Sequence, residues 1–165
     1  MKKILIVLIF LCTLQITATE KQFGVGLGGG NIVSGISGKY LLGNHTALQG
    51  VVGVRGNDGF ALSLDFIMEF PPYLVKNKDV TLAWYAGAGA FWWHYSHDYG
   101  KDNYNWEIFG INGVVGLSLM LQKVPLEFAI EWRPAFFISN SDYDWYNGYS
   151  GLYLGGAGGA IRWYF

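Results

Sequence analysis

The sequence predicts an all-β fold: an eight-stranded antiparallel transmembrane β-barrel of up-and-down topology. Three observations lead there. The 165-residue chain is 52% hydrophobic yet only 14% charged, where an ordinary soluble domain is about a quarter charged. After residue 20 no run of eighteen apolar residues occurs, which excludes a bundle of membrane helices. In place of such runs, apolar residues alternate with small or polar ones, the period of a strand with two unlike faces. The length suits one domain. Hydrophobicity excludes disorder, and the lack of a Gly-X-Y period excludes collagen. A formal charge of −1 with no basic cluster argues against a nucleic-acid partner.

Residues 1–18 read as a cleaved signal peptide, leaving 19–165 as the barrel domain. Lys2 and Lys3 form a positive start, residues 4–14 are almost wholly apolar, and Ala18 offers a small residue for cleavage. The apolar run is too short to span a bilayer. Cleavage there removes two of the eleven basic residues against twelve acidic ones, so the net charge becomes −3. It also removes Cys12, the only cysteine, so no disulfide, thiol catalysis or thiolate metal site is expected.

The eight strands follow in chain order. Over 23–29, Phe23, Val25 and Leu27 alternate with glycines. Over 36–42, Ile36, Tyr40 and Leu42 oppose Ser37 and Lys39. Over 46–55, Leu48, Val52 and Val54 oppose Ala47, Gln49, Gly53 and Arg55. The clearest case is 60–70, where Phe60, Leu62, Leu64, Phe66, Met68 and Phe70 oppose Ala61, Ser63, Asp65, Ile67 and Glu69. Over 81–93, Leu82, Trp84 and Trp92 oppose Thr81, Gly87 and Gly89. Over 109–121, Phe109, Ile111, Val115 and three leucines oppose Gly110, Asn112, Gly116 and Ser118. Over 126–133, Leu126, Phe128, Ile130 and Trp132 oppose Glu127, Ala129, Glu131 and Arg133. Over 159–165, Ile161, Trp163 and Phe165 oppose Ala160, Arg162 and Tyr164. Several approach the roughly 9–11 residues that a tilted membrane strand needs.

The connections alternate as well. Residues 43–45, 71–79 and 122–125 form one set, mostly short. Residues 29–35, 55–59, 95–106 and 140–150 form the other, whose last two are long, polar loops rich in Asp, Asn, Tyr and Gly. Short turns lie on the periplasmic side of such barrels and long loops outside, so both termini are expected in the periplasm.

An eight-stranded barrel is filled by its own side chains. The small residues of the second parity suit that lumen, and the charges share their parity. Lys39, Arg55, Arg133 and Arg162 balance Asp65, Glu69, Glu127 and Glu131. An electroneutral plug of paired charges is expected rather than a polar pore, because an unpaired buried charge is costly. The pairings themselves do not follow from the sequence. Aromatics near strand ends, among them Trp92, Trp93, Tyr95, Trp106, Trp163 and Tyr164, are expected at the bilayer interface.

The chain ends Ile161-Arg162-Trp163-Tyr164-Phe165, and a terminal Phe after alternating apolar residues resembles the C-terminal signature of bacterial outer-membrane barrels. The segments Ser37-Gly38-Lys39-Tyr40-Leu41, Asn44-His45-Thr46-Ala47-Leu48 and Val124-Pro125-Leu126-Glu127, together with that ending, resemble a family of small OmpA-like bacterial outer-membrane β-barrel proteins across most of residues 23–165. The resemblance implies an outer-membrane location, a barrel-assembly machinery as partner during biogenesis with Phe165 as its signal, and no catalytic residue.

Other chemistry is weakly signalled. The glycines of 24–30 lack the following helix that a dinucleotide loop needs. His94 and His97 near Asp98 and Asp102 form a poor metal set. His94 and Ser96 share a parity, with Asp98 or Glu107 available to orient the imidazole, as in outer-membrane lipid A deacylases. The expectation is therefore a non-enzymatic outer-membrane barrel without cofactor or open pore, in contact with outer-membrane lipid. Its role is structural, or surface binding of an extracellular ligand through 95–106 and 140–150. The alternatives are a lipid-modifying enzyme using His94 and Ser96, or a secreted lipocalin-like barrel with the two faces reversed.

Overall fold

The computed structural model describes residues 22–43, 45–55, 59–99, 102–139 and 151–165. The expected signal segment and residues 140–150 lie outside this set. The strands are β1 (Phe23–Gly30), β2 (Ser34–Leu41), β3 (Thr46–Arg55), β4 (Gly59–Lys76), β5 (Val80–Tyr99) and β6 (Asp102–Leu121). Two further strands are each interrupted once. β7 consists of Leu126–Trp132 and Ala135–Ser139, and β8 of Gly151–Tyr153 and Ala157–Tyr164. Each strand pairs antiparallel with its chain neighbour. β8 then pairs with β1, Gly24 opposite Tyr164 through Gly30 opposite Gly158, and the sheet closes. The result is the closed eight-stranded antiparallel barrel that the alternation predicts.

Several boundaries differ from the sequence expectation. β4 continues through the segment expected to be a link, as far as Lys76. Its ladder to β5 skips from Phe70↔Trp84 to Val75↔Leu82, beside two prolines that have no N–H to give. Residues 95–106 are mostly not an irregular loop. β5 and β6 remain paired to Tyr99↔Asp102, forming one long hairpin. β7 breaks at Arg133-Pro134, where Gly113 N–H donates to the Pro134 carbonyl at 2.9 Å and Arg133 N–H donates to the Gly156 carbonyl at 2.9 Å. A backbone hydrogen bond is thus kept on each side of the break.

The faces sort as the parity demands. Along β4, Ala61, Ser63, Asp65 and Ile67 are fully buried, while Phe60, Leu62, Leu64, Phe66 and Met68 are exposed. The same holds around the wall, from Leu27 and Ile36 to Ile130 and Ile161. The buried set is the lumen and the exposed apolar set is the outer wall. At one end sit the turns together with the start of β1 and the end of β8, where Phe165 N–H donates to the Phe23 carbonyl at 2.9 Å. At the other end the β5–β6 hairpin projects.

Candidate functional site

The lumen holds seven of the eight charged residues on the buried parity: Lys39, Asp65, Glu69, Glu127, Glu131, Arg133 and Arg162. The side chain of Arg55 lies outside the described residues. They form two connected layers. Nearer the turn end, Lys39 Nζ donates to Glu127 Oε1 at 2.7 Å and to Glu69 Oε1 at 3.1 Å. Arg162 Nη1 donates to Glu127 Oε2 at 3.0 Å, and its Nε to Ser37 Oγ at 2.8 Å. The Tyr164 hydroxyl adds a further bond to Glu127 Oε2 at 3.0 Å.

In the second layer Glu131 is the hub. Its Oε1 accepts from Tyr85 Oη at 2.6 Å and from Gln49 Nε2 at 2.9 Å, and its Oε2 from Arg133 Nε at 2.6 Å. Arg133 Nη2 lies 2.9 Å from Asp65 Oδ2. Asp65 Oδ1 accepts from Asn112 Nδ2 at 2.7 Å. Gln49 couples the layers, because its amide oxygen accepts from Arg162 Nη2 at 3.2 Å while its amide nitrogen serves Glu131. Removing a carboxylate from water costs several kcal/mol, offset only where partners surround it. Glu127 and Glu131 each accept three or more such bonds, which is the condition for holding them there.

Towards the loop end the filling turns apolar. Phe91, Trp93 and Phe137 pack with ring centroids 5.0–5.1 Å apart, joined by Ile32, Val33 and Ile108. Towards the turn end a cavity of about 310 Å³ opens, with Lys39, Glu69, Ser118 and Met120 in its walls. A further space beside Arg133 and Arg162 measures about 10 Å³, room for one water at most. Chemically the arrangement pairs opposite charges, three cations against four carboxylates among the described side chains.

Two sequence expectations need correction. Trp93 and Tyr164 do not sit at an interface: both are almost fully buried in the lumen. Tyr85 carries a central hydrogen bond and was not singled out by the alternation. The signal lay in the register. Tyr85 stands opposite Gly116 and Phe91 opposite Gly110. A Cβ on Gly116 would come within 2.6 Å of the Tyr85 ring, and one on Gly110 would strike Phe91. Glycine on one strand makes room for an inward ring on the next.

The remaining candidates lie elsewhere. Phe165 is 40% exposed at the turn end, on the outer-wall parity with Ile161 and Trp163. His94 and Glu107 face each other across the β5–β6 ladder on the outer wall, Nδ1 to Oε1 3.6 Å. Ser96 follows on β5 opposite Asn105, and its side chain lies outside the described residues. Among the described residues, no three His, Cys, Asp or Glu side chains are grouped to hold a metal.

Comparison with known proteins adds the fold. No family model and no curated protein matches the sequence. Among solved structures, the chain is similar to the N-terminal β-barrel domain of Pseudomonas aeruginosa OprF, with a TM-score of 0.55 and 17% identity, over 87% of this chain and 96% of that one. The barrel architecture is therefore shared with that domain over nearly its whole length.

Proposed function

We propose that the protein is a small bacterial outer-membrane β-barrel with a structural or surface-interaction role, no open pore and no catalytic activity. The observation that carries this reading is the outer wall. It is a continuous belt of exposed Leu, Ile, Val, Phe and Trp around a buried charged lumen, the reverse of a soluble barrel's distribution. The belt has the right height. On β5 and β6 the outward positions are mainly apolar from Leu82↔Leu119 to Trp92↔Phe109, then turn polar at His94↔Glu107. Ten residues at about 3.3 Å each, tilted by about 40°, rise roughly 25 Å, the height of the lipid-facing band in such barrels.

The closed lumen favours the absence of a pore. The two charged layers and the Phe91, Trp93 and Phe137 plug lie in series along the axis. Cleavage after Ala18, a periplasmic location for both termini and recognition of Phe165 by the assembly machinery complete the reading, with the loop end available to an extracellular ligand. Fractionation tests it together with conductance. The processed protein should sediment with outer membranes and give no stable conducting steps in a planar bilayer. Recovery as a soluble periplasmic or secreted protein would contradict the location, and steady conductance would contradict the closed lumen.

A further inference from the structure

Glu127 takes a cation on each of its oxygens, Lys39 on Oε1 and Arg162 on Oε2. Glu69 is only half used. Its Oε1 accepts from Lys39 Nζ at 3.1 Å, and its Oε2 has no partner among the described residues. The side chain is 19% exposed. It opens into the cavity of about 310 Å³ at the turn end, a volume at the lower end of small-molecule sites. Ser118 lines the same cavity, is 6% exposed, and makes no side-chain hydrogen bond among the described residues. The ladders bring the two to neighbouring levels. Glu69 stands opposite Tyr85, and Ser118 opposite Ala83, two positions along β5 on the same face.

An open carboxylate oxygen inside a walled cavity suits a donor, and a charged donor makes the stronger bond. A guanidinium fork takes both oxygens, one of which Lys39 holds. A primary ammonium takes one oxygen and keeps N–H groups for the Ser118 hydroxyl. Leu41 and Met120 supply apolar wall for an alkyl stem. Nearer the mouth, Lys76 stands opposite Thr81, two positions further along β5, with its Nζ over the Tyr73 ring at 4.7 Å. A second ammonium would meet like charge there, whereas a carboxylate would meet the opposite one. We propose that this cavity binds an ω-amino carboxylic acid, with its ammonium on Glu69 and Ser118, its stem along Leu41 and Met120, and its carboxylate at Lys76. The site goes beyond the proposed surface role, which concerns the loop end, and it holds in whichever compartment the turn end lies.

Calorimetry on the processed barrel, refolded in detergent, tests it with three probes of matched length: ε-aminocaproate, caproate and hexamethylenediamine. Saturable binding of ε-aminocaproate is expected. It should weaken tenfold or more in Glu69→Gln and stay unchanged in Lys123→Ala, whose side chain pairs with Asp79 outside the cavity walls. Caproate, which lacks the ammonium, should bind at least tenfold more weakly. The diamine should bind more weakly than ε-aminocaproate, and Lys76→Ala should remove that difference. Ser118→Ala, expected to weaken binding threefold or more, serves if Glu69→Gln does not refold. Absence of saturable ε-aminocaproate binding, equal binding of caproate, or undiminished binding by Glu69→Gln and Ser118→Ala overturns the proposal. Binding of the diamine as tight as that of ε-aminocaproate overturns the placement of the carboxylate at Lys76.

Discussion

Glu127 and Arg162 are Cα partners on adjacent strands, and their side chains close a 3.0 Å ion pair on the lumen side of the barrel. The pair joins the ends of a long path, since Glu127 also takes Lys39 from β2 on the far side of β1. One carboxylate thus bridges two cations on two strands, and Glu69 supplies Lys39 with a second partner.

Removing that carboxylate leaves Arg162 with only the neutral partners Ser37 and Gln49, and Lys39 with Glu69 alone. Glu127→Ala should therefore destabilise the barrel by about 3–5 kcal/mol, the cost of breaking a buried pair from one side. Urea unfolding from lipid vesicles measures it. A change near zero would mean that water replaces the carboxylate freely, and that the layer is not a sealed network.

Gly116 lies under the Tyr85 ring. Gly116→Val forces that ring to move and disturbs its 2.6 Å bond to Glu131. Overpacking of this kind costs about 1–3 kcal/mol. The double variant Gly116→Val with Tyr85→Ala should recover part of the loss. A double variant no better than the sum of the single changes would show that the two residues are uncoupled.

Phe165 contributes one exposed side chain to a sheet closed by backbone bonds. Deleting it should leave refolding into detergent nearly intact. Insertion in cells should fall much further, with unassembled chains degraded. Equal membrane levels of wild type and deletion would remove Phe165 from any role in assembly.

His94 and Glu107 sit where the outer wall turns polar. As a surface pair they are expected to leave membrane lipid unmodified. Overexpressed wild type, His94→Ala and Ser96→Ala should give the same lipid A acyl pattern by mass spectrometry. A deacylated species present with the wild type and lost in both variants would make the protein an enzyme.

The barrel was legible because each strand writes its two faces locally. Residues 60–70 show both in one stretch, and from Phe60 to Met68 the buried and exposed sets in the structure follow them residue for residue. Strand ends were less legible. β5 and β6 run past the barrel on Tyr, Asn and Asp, residues that equally suit a loop. The lumen partners were not legible because pairing depends on how far each strand is sheared against the next. Lys39 meets Glu127 across 88 positions of sequence, and no local pattern encodes that distance. Tyr85 was hidden because its space comes from a glycine on another strand.

The central claim is that the outward apolar parity meets lipid. Nitroxide labels placed singly at residues 60–70, in barrels refolded into vesicles, report oxygen accessibility site by site. The account predicts a period of two, with high values at positions 60, 62, 64, 66 and 68 and low values at 61, 63, 65 and 67. In the same system Leu64→Arg, at a site 57% exposed on the outer wall, should cost about 2–4 kcal/mol. A flat oxygen profile, or peaks at 61, 63 and 65, would contradict the assignment of the two faces and with it the membrane barrel.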